Sequence, residues 1–188
     1  MVSPRALCLF IVGLLALERV AELLLSRRNA ARAFARGATE TGQTHYRVMA
    51  AFHTCFLIAC AALASRMETW PGTFGWMALF GALLAQGLRY WAIATLGDRW
   101  NVRVITLPGA PPITSGPYRW VRHPNYIAVA LELLFVPLIF GGWGVALAFS
   151  VGNALLMLTR IRVEEAALGS TYTDAFARVP RFFPGRRA

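Results

Sequence analysis

The sequence predicts an all-α integral-membrane protein with about five transmembrane helices. Hydrophobic residues make up 57% of the 188-residue chain and charged residues only 15%, whereas soluble domains carry about 45–50% apolar and about 25% charged residues. About 20 mostly apolar residues suffice to cross a bilayer as a helix, and five such segments follow one another. The length suits one compact domain, residues 1–188.

The five spans are predicted in order, with boundaries set by polar residues, glycine and proline. The first continues past the length of a signal-peptide core and has no convincing small-residue cleavage site, so we expect it to be a span. The last two form a hairpin around Gly141 and Gly142, and the short fourth span, which contains Pro137, is expected to be tilted or kinked. The predicted spans are 5–25, 45–64, 73–96, 125–140 and 142–160.

The arginines indicate the orientation. A net charge of +10 could suggest a nucleic-acid partner, but basic residues also flank the cytoplasmic ends of membrane helices, and we predict no nucleic-acid partner. With the N-terminus outside, fourteen arginines fall in two inner loops and the C-terminal tail, and only Arg5 and Arg66 fall outside. We therefore expect an outer N-terminus and a cytoplasmic C-terminus.

The three cysteines, Cys8, Cys55 and Cys60, give no sign of a metal site or a disulfide. They lie in apolar segments and lack C-x-x-C spacing. We therefore predict no metal ligands and expect small core or lipid-facing residues.

Two inner segments, about 97–124 and the tail after Thr159, are too long to be plain connectors. Long irregular segments in a compact protein are usually functional or disordered. Both contain aromatic and apolar residues among their charges, which favours an ordered cytoplasmic loop and an ordered tail.

The first inner segment contains a candidate binding motif, RHPNY, from Arg122 to Tyr126. Pro124 suits the first turn of a helix, which puts His123 at or near the N-cap, beside free backbone amides that suit a carboxylate or phosphate. The alternative is a positive flank of the fourth span, with Tyr126 in an interfacial aromatic belt. These residues alone leave the two interpretations evenly matched.

The tail adds Arg160, Glu164 and Glu165. Arg160 and Glu164 are four residues apart and share a helix face, whereas the two acids are about 100° apart, so one can face inward. An inward carboxylate could bind ribose hydroxyls, an amine or a sulfonium. The alternative is a solvated helix face.

The first span carries a stripe of Glu18, Glu22 and Ser26. Ionisable groups inside a span are costly and indicate function by default. The alternative is an ion pair between helices, with Arg89 or Arg47 as the partner.

Two histidines, His45 and His53, lie eight residues apart on the second span. They are about 80° from sharing one face, so we expect no metal site. We expect singly hydrogen-bonded histidines, or one general base.

Together these motifs resemble the isoprenylcysteine carboxyl methyltransferase family of integral-membrane methyltransferases. The matching stretches are SGPYRWVRHPNYIA, then a helical hairpin, then RIRVEEAAL and YTDAFARVPRFFPG, over roughly Leu96 to Gly185. The N-terminal half, with ERVAELLLSRRN and GQTHYRVM, looks like a bacterial branch rather than the eukaryotic enzymes of prenylated proteins. Members near that branch are associated with methylating lipophilic phenols or pyrones made by type III polyketide synthases.

The resemblance implies a bacterial inner-membrane enzyme that binds S-adenosylmethionine between the RHPNY loop and the acidic tail. Residues 1–96 would then be three N-terminal spans, and 97–188 the cofactor-binding and catalytic region. Glu165 is the favoured polar anchor, and Arg160 and Glu164 support it or line the acceptor site. The implied cofactor-binding residues are Gly116, Pro117, Tyr118, Arg122, His123, Pro124, Asn125, Tyr126 and Glu165, and the candidate catalytic residues are Arg160, Glu164, Glu18 and Glu22.

The chemistry of methyl transfer agrees with this placement. The enzyme mainly has to align donor and acceptor in a dry site, and a lipophilic acceptor can enter from the bilayer while the polar donor enters from the cytosol. A carboxylate acceptor needs no base, whereas a phenol with a pKa near 10 benefits from one. The candidate bases are Glu18, Glu22, His45, His53 and His123.

Two rival interpretations belong to other classes. Membrane sterol reductases, which bind NADPH, resemble this chain at RHPNY and at the end of the tail, but they are usually much longer and lack the acidic pair. A non-catalytic lipid-binding membrane protein would use the inner loops only as polar flanks. The sequence gives no indication of oligomeric state.

Overall fold

The computed structural model describes residues 3–183 and contains five α-helices in that range. Two short antiparallel strands, β1 (Thr39–Thr41) and β2 (Val104–Thr106), pair in the register Thr39 to Thr106. Single turns of 3-10 helix cover Gly97–Arg99 and Gly116–Arg119. The helices are α1 (Pro4–Ala35), α2 (Gln43–Ala64), α3 (Thr73–Leu96), α4 (Pro124–Ile139) and α5 (Trp143–Ala175).

The predicted number of helices is confirmed, but only α2, α3 and α5 are long and apolar enough to cross a membrane by themselves. α4 has 16 residues, and α1 carries Glu18, Arg19 and Glu22 within its apolar segment. The part of the tail prediction that concerns Pro184, Gly185, Arg186 and Arg187 lies outside the described residues.

Two helices are longer than predicted. α1 continues ten residues beyond the expected end at 25 because the segment that follows contains no helix breaker before Gly37. Gly37 has a φ of +83°, the left-handed conformation that commonly ends a helix. α5 continues from residue 160 to Ala175, with a break in its helical geometry at Gly169.

The core lies where the helices meet, and small residues let them approach closely. Ala78, Ala82 and Ala85 form a buried stripe along α3, and α4 packs against this helix. A side chain at Gly81 would press on the ring of Phe135, since its Cβ would lie 2.9 Å from the ring carbons. Small residues at helix contacts are typical of membrane bundles.

Large apolar side chains on α2, α3 and α5 face outward, among them Ile58, Phe80 and Leu155, each more than 60% exposed. A soluble protein would cover most of such a surface. An outward apolar surface on these three helices is what a lipid environment requires.

The long loop between α3 and α4 is held against α1, as expected for an ordered segment. Ser26 donates to Asn101 at 2.5 Å, and the amide of Asn29 donates to the Trp100 carbonyl at 2.8 Å. The strand pair joins the same loop to the connection between α1 and α2. These contacts place the loop over one end of the bundle.

Candidate active site

The motif RHPNY begins α4, as predicted. His123 is the N-cap residue, with a φ of −126°, and Pro124 occupies the first turn. The His123 ring is buried and stacks on Tyr126 with centroids 5.1 Å apart. Its Nε2 lies 3.0 Å from Glu165 Oε1, so with an ionised carboxylate this nitrogen donates the hydrogen.

The C-terminal segment crosses this motif and occupies its amides. The backbone N–H groups of Arg122 and His123 donate to the carbonyls of Pro180 and Arg181, at 2.9 and 3.3 Å. The Arg122 side chain donates to Val179 O at 2.6 Å. The N–H groups of Arg122 and His123, which precede the first turn of α4, are therefore occupied by the tail.

Arg181 strengthens this contact by forming a bidentate ion pair with Glu165. Its Nε and Nη2 donate to the two carboxylate oxygens at 3.0 and 2.6 Å. This hydrogen bond and the carboxylate's charge raise the pKa of Arg181. Glu165 thus links the imidazole of His123 to the tail.

A second polar contact joins α4 to α5 beside the first. Tyr126 donates its hydroxyl hydrogen to Glu164 and accepts from Arg160 Nε at 3.1 Å. Arg160 also donates to the Val102 carbonyl at 2.9 Å and lies 3.9 Å from Glu164. The predicted shared face of Arg160 and Glu164 is confirmed, and it faces inward, since Arg160 is only 5% exposed.

Both contacts border a cavity of about 740 Å³, a size typical of small-molecule sites. It runs from the loop Leu107–Pro112 past α4 and α5 to the inner parts of α1, α2 and α3. Tyr118 contributes a buried phenol, and burial and then the Glu164 charge raise its pKa.

Some of the predicted site residues line this cavity and others do not. Glu165, Glu18, Gly116, Pro117 and Pro124 do not line it. Those that line the cavity are Tyr118, Arg122, His123, Asn125, Tyr126, Arg160, Glu164 and Glu22.

The charged stripe of α1 forms a network inside the bundle. Arg89 Nε and Nη2 donate to the two oxygens of Glu22 at 2.5 and 2.7 Å. Arg19 approaches Glu18 and Glu22, each at 3.1 Å, and Glu132 at 3.5 Å. The alternative of an ion pair between helices is confirmed for Glu22, with Arg89 rather than Arg47 as the partner.

Two features of this region were not predicted from the sequence: the carboxylate of Glu132 and the contact of the tail with the RHPNY motif. Glu132 is the one acid of the apolar segment of α4, and an isolated carboxylate within a span is a signal that could have identified it. The contact of Val179–Arg181 with the RHPNY motif had no such signal, because it depends on the path of the tail.

The apolar outer surface of α2, α3 and α5 indicates a helical membrane protein, and a cavity that several charged side chains line lies beside the α4–α5 hairpin. The family model of the isoprenylcysteine carboxyl methyltransferase (ICMT) family matches residues 76–170. A Bacillus subtilis relative, the uncharacterized protein YpbQ, is 35% identical over 159 residues, which cover 84% of this chain and 94% of that protein. The chain therefore belongs to the ICMT family, which makes it a membrane methyltransferase by class.

Two further relatives are similar to this chain at lower identity. An uncharacterized protein of Haemophilus influenzae is 24% identical over 155 residues, covering 82% of this chain and 90% of the relative. The cobalt-zinc-cadmium resistance protein CzcN of Cupriavidus metallidurans is 31% identical over 129 residues, covering 66% of this chain and 57% of that protein. The similarity thus extends well beyond the RHPNY motif.

Proposed function

We propose that this protein transfers a methyl group from S-adenosylmethionine to a lipophilic acceptor at the cytoplasmic face of a bacterial inner membrane, forming a methyl ester or a methyl ether. The single observation that supports this most is the meeting of two distant segments. RHPNY and the acidic pair of α5 lie about 40 residues apart in sequence, yet their side chains contact each other at the cavity.

The cavity wall fits the polar groups of the methyl donor. Asn125 Oδ1 and Arg160 Nη1 are buried without a hydrogen-bond partner in the described part of the chain, and such groups are costly unless something satisfies them. Glu164 adds a carboxylate on the same wall. Together they offer two acceptors and a cation to a ligand that carries an ammonium, a carboxylate, hydroxyls and an adenine.

The proposed role of each residue depends on its position at the cavity. Glu164 and Tyr126 bind the donor's positively charged part, while Glu165 orients His123 and holds the tail through Arg181. Arg160 holds its unsatisfied N–H toward the acceptor or the donor carboxylate. When bound, the donor supplies a methyl group on a sulfonium, and the walls exclude water from the transfer.

The distribution of arginines supports one orientation of the chain in the membrane. In this proposal the arginine-rich end of α1, the loop over the bundle and the tail face the cytosol, and the N-terminus lies outside. Residues 97–188 carry the donor site, and residues 1–96 supply the remaining walls. The acceptor enters from the bilayer between the exposed apolar helix faces.

The test is titration calorimetry with S-adenosylmethionine on the purified protein in detergent. We expect saturable binding to the wild type, no competition by NADPH, and at least about a hundredfold loss, which is about 2.7 kcal/mol, in His123→Ala and in Glu164→Gln. Glu68→Gln, an exposed acid outside the cavity, is the matched control and should bind as the wild type does.

Each negative result of this binding test contradicts a different part of the proposal. Retained binding in both variants would contradict the site, whereas absence of binding to the wild type would contradict methyl transfer itself. Competition by NADPH would favour the reductase alternative. A tritiated-methyl transfer assay against a lipid extract then identifies the acceptor class.

A further inference from the structure

A smaller groove lies between the last turns of α1 and the end of α3. Its volume is about 240 Å³. It adjoins the large cavity, since Arg32 and Asp98 line both. The residues that line the groove are Leu25, Arg28, Asn29 and Arg32 of α1, and Ile93, Ala94, Gly97 and Asp98 on the opposite side.

Hydrogen bonds fix the shape of this groove. The side-chain amide of Asn29, which is 2% exposed, donates to the carbonyls of Gly97 and Trp100 at 3.1 and 2.8 Å. Nearer the middle of the bundle, Glu22 accepts from Arg89. These contacts follow the same order along both helices, so α1 and α3 run in the same direction and form the two sides of the groove.

The groove is apolar at one end and cationic at the other. Leu25 precedes the two arginines along α1, and Ile93 and Ala94 lie opposite on α3. Because both helices run toward this end of the bundle, the apolar end points to the middle of the bilayer. Arg28 and Arg32 lie farther out. A phospholipid has the same order, with acyl chains inside and the phosphate outside.

The two arginines lie at the depth of lipid headgroups. Tyr90 and Trp91, just before the groove on α3, are 54% and 45% exposed, and such aromatic residues are typical of the membrane interface. Arg28 and Arg32 are about 6 Å apart along α1. This length is comparable to the polar layer of one leaflet, which is about 5–7 Å thick.

The charges of the groove favour an anionic headgroup. Arg28 and Arg32 are exposed and form no ion pair with any residue from 3 to 183. Asp98, the acid of the groove, is paired with Arg36 at 3.4 Å. Guanidinium groups bind phosphate through parallel hydrogen bonds, whereas the ammonium of a zwitterionic headgroup would compete with Arg36 for the one carboxylate.

We propose that this groove binds one anionic glycerophospholipid from the leaflet at this end of the bundle. The phosphate lies between Arg28 and Arg32, and an acyl chain packs on Leu25 and Ile93. The lipid is a bound partner that connects α1 to α3, not the methyl acceptor, because neither the RHPNY motif nor Glu164 lines the groove. The proposal goes beyond methyl transfer and does not depend on it.

The test is lipid binding to the purified, delipidated protein in detergent. Native mass spectrometry counts bound dioleoyl-phosphatidylglycerol, and differential scanning fluorimetry follows the thermal midpoint during the same titration. We expect one tightly retained phosphatidylglycerol and a saturable rise of the midpoint. Phosphatidylcholine and phosphatidylethanolamine with the same acyl chains should bind more weakly, and the difference should shrink in high salt.

Three variants separate the groove from surface charge. Arg28→Gln with Arg32→Gln should weaken phosphatidylglycerol binding at least about tenfold and leave the midpoint without lipid unchanged, because both side chains are exposed. Arg27→Gln with Arg178→Gln removes two exposed arginines outside the groove and should bind as the wild type does. Ala94→Trp keeps both arginines but fills the apolar end, so it should also weaken binding.

Each contrary result overturns a stated part of the proposal. Equal losses in the two double variants would mean that lipid responds only to total charge. Equal binding of phosphatidylethanolamine would contradict the anionic headgroup. Full affinity in Ala94→Trp, with equal stabilisation by sn-glycerol 3-phosphate, would make this a site for a free phosphate instead of a lipid. Failure of the wild type to bind S-adenosylmethionine would remove the proposed function and leave this site untouched.

Discussion

Two clusters of charged side chains lie beside the same cavity, and they differ in their exposure to solvent. At the wall beside the RHPNY motif, Glu165 joins His123 to Arg181, whose side chain is 55% exposed. Inside the bundle every charged side chain of the network is 15% exposed or less. That network comprises Glu18, Arg19, Glu22, Arg89 and Glu132.

The difference lies in what can replace a lost partner. At the wall beside the RHPNY motif, water or a polar ligand can take the place of Arg181, because that side chain is exposed. Inside the bundle, three carboxylates share two guanidinium groups, and the one neutral side chain hydrogen-bonded to them among the described residues is Gln86, which donates to Glu18 at 2.7 Å. The first cluster is therefore suited to exchanging ligands, and the second to fixing α1, α3 and α4 in place.

The largest effect is expected from Arg89→Met, which tests whether the buried network holds the helices together. It leaves Glu22 buried without its bidentate partner, and removal of one partner of a buried ion pair typically costs about 3–5 kcal/mol. We expect a lower thermal midpoint in detergent and a lower yield of monodisperse protein, measured by differential scanning fluorimetry and size exclusion.

Two variants control this prediction. Arg66→Met removes an exposed arginine at the far end of α2 and should leave the midpoint unchanged. The double variant Glu22→Met with Arg89→Met removes both charges and should recover part of the loss. An Arg89→Met protein as stable as the wild type would show that the network does not hold the helices.

A smaller effect is expected from Tyr126→Phe at the wall beside the RHPNY motif. The change removes the hydroxyl between Glu164 and Arg160, but these two are 3.9 Å apart and can pair directly. A lost hydrogen bond to a charged group costs about 1.5–3 kcal/mol, and direct pairing offsets part of it, so we expect donor affinity to fall roughly tenfold.

Calorimetric titration measures this, and Tyr90→Phe is the matched control because Tyr90 is 54% exposed and outside the cavity. Unchanged affinity in Tyr126→Phe would remove Glu164 and its partners from the donor site.

Local rules predicted much of the site from the sequence. Pro124 placed His123 at the N-cap, and four-residue spacing placed Arg160 and Glu164 on one face, because both features depend only on helix geometry. The five helices followed from the apolar segments in the same way.

Contacts between distant segments were predictable only as alternatives or not at all. The choice between Arg89 and Arg47 for Glu22 depends on how α3 is rotated against α1, and periodicity does not determine that rotation. The placement of Glu164 rather than Glu165 at the cavity depends on the rotation of α5. The return of the tail over His123 brings together segments more than 50 residues apart in the sequence, and no local pattern predicts such a contact.

An alkaline titration tests the burial of Tyr118, a residue of the loop between α3 and α4. Its pKa is raised by burial and by Glu164, so the unfolded chain ionises this phenol near pH 10 while the folded protein keeps it neutral. Its contribution to stability is full below pH ~10 and is lost as pH rises from there toward the folded pKa. Tyr118→Phe should therefore lose less stability than the wild type between pH ~10 and pH ~11, measured by thermal midpoints across that range. A parallel loss in both proteins would contradict the burial of this phenol.

The smallest effect is expected from Arg181→Gln, which tests the exposed side of the comparison. Partly exposed ion pairs contribute about 0–1 kcal/mol, and salt screens them, so the thermal midpoint should change little and the difference should shrink in high salt. Glu165 keeps its hydrogen bond to His123, so donor affinity should change by about fivefold or less. Arg178→Gln, an exposed arginine three residues earlier, provides the control for loss of charge alone. A loss of stability as large as that of Arg89→Met would mean that the tail contact is structural, and that the wall beside the RHPNY motif does not exchange partners.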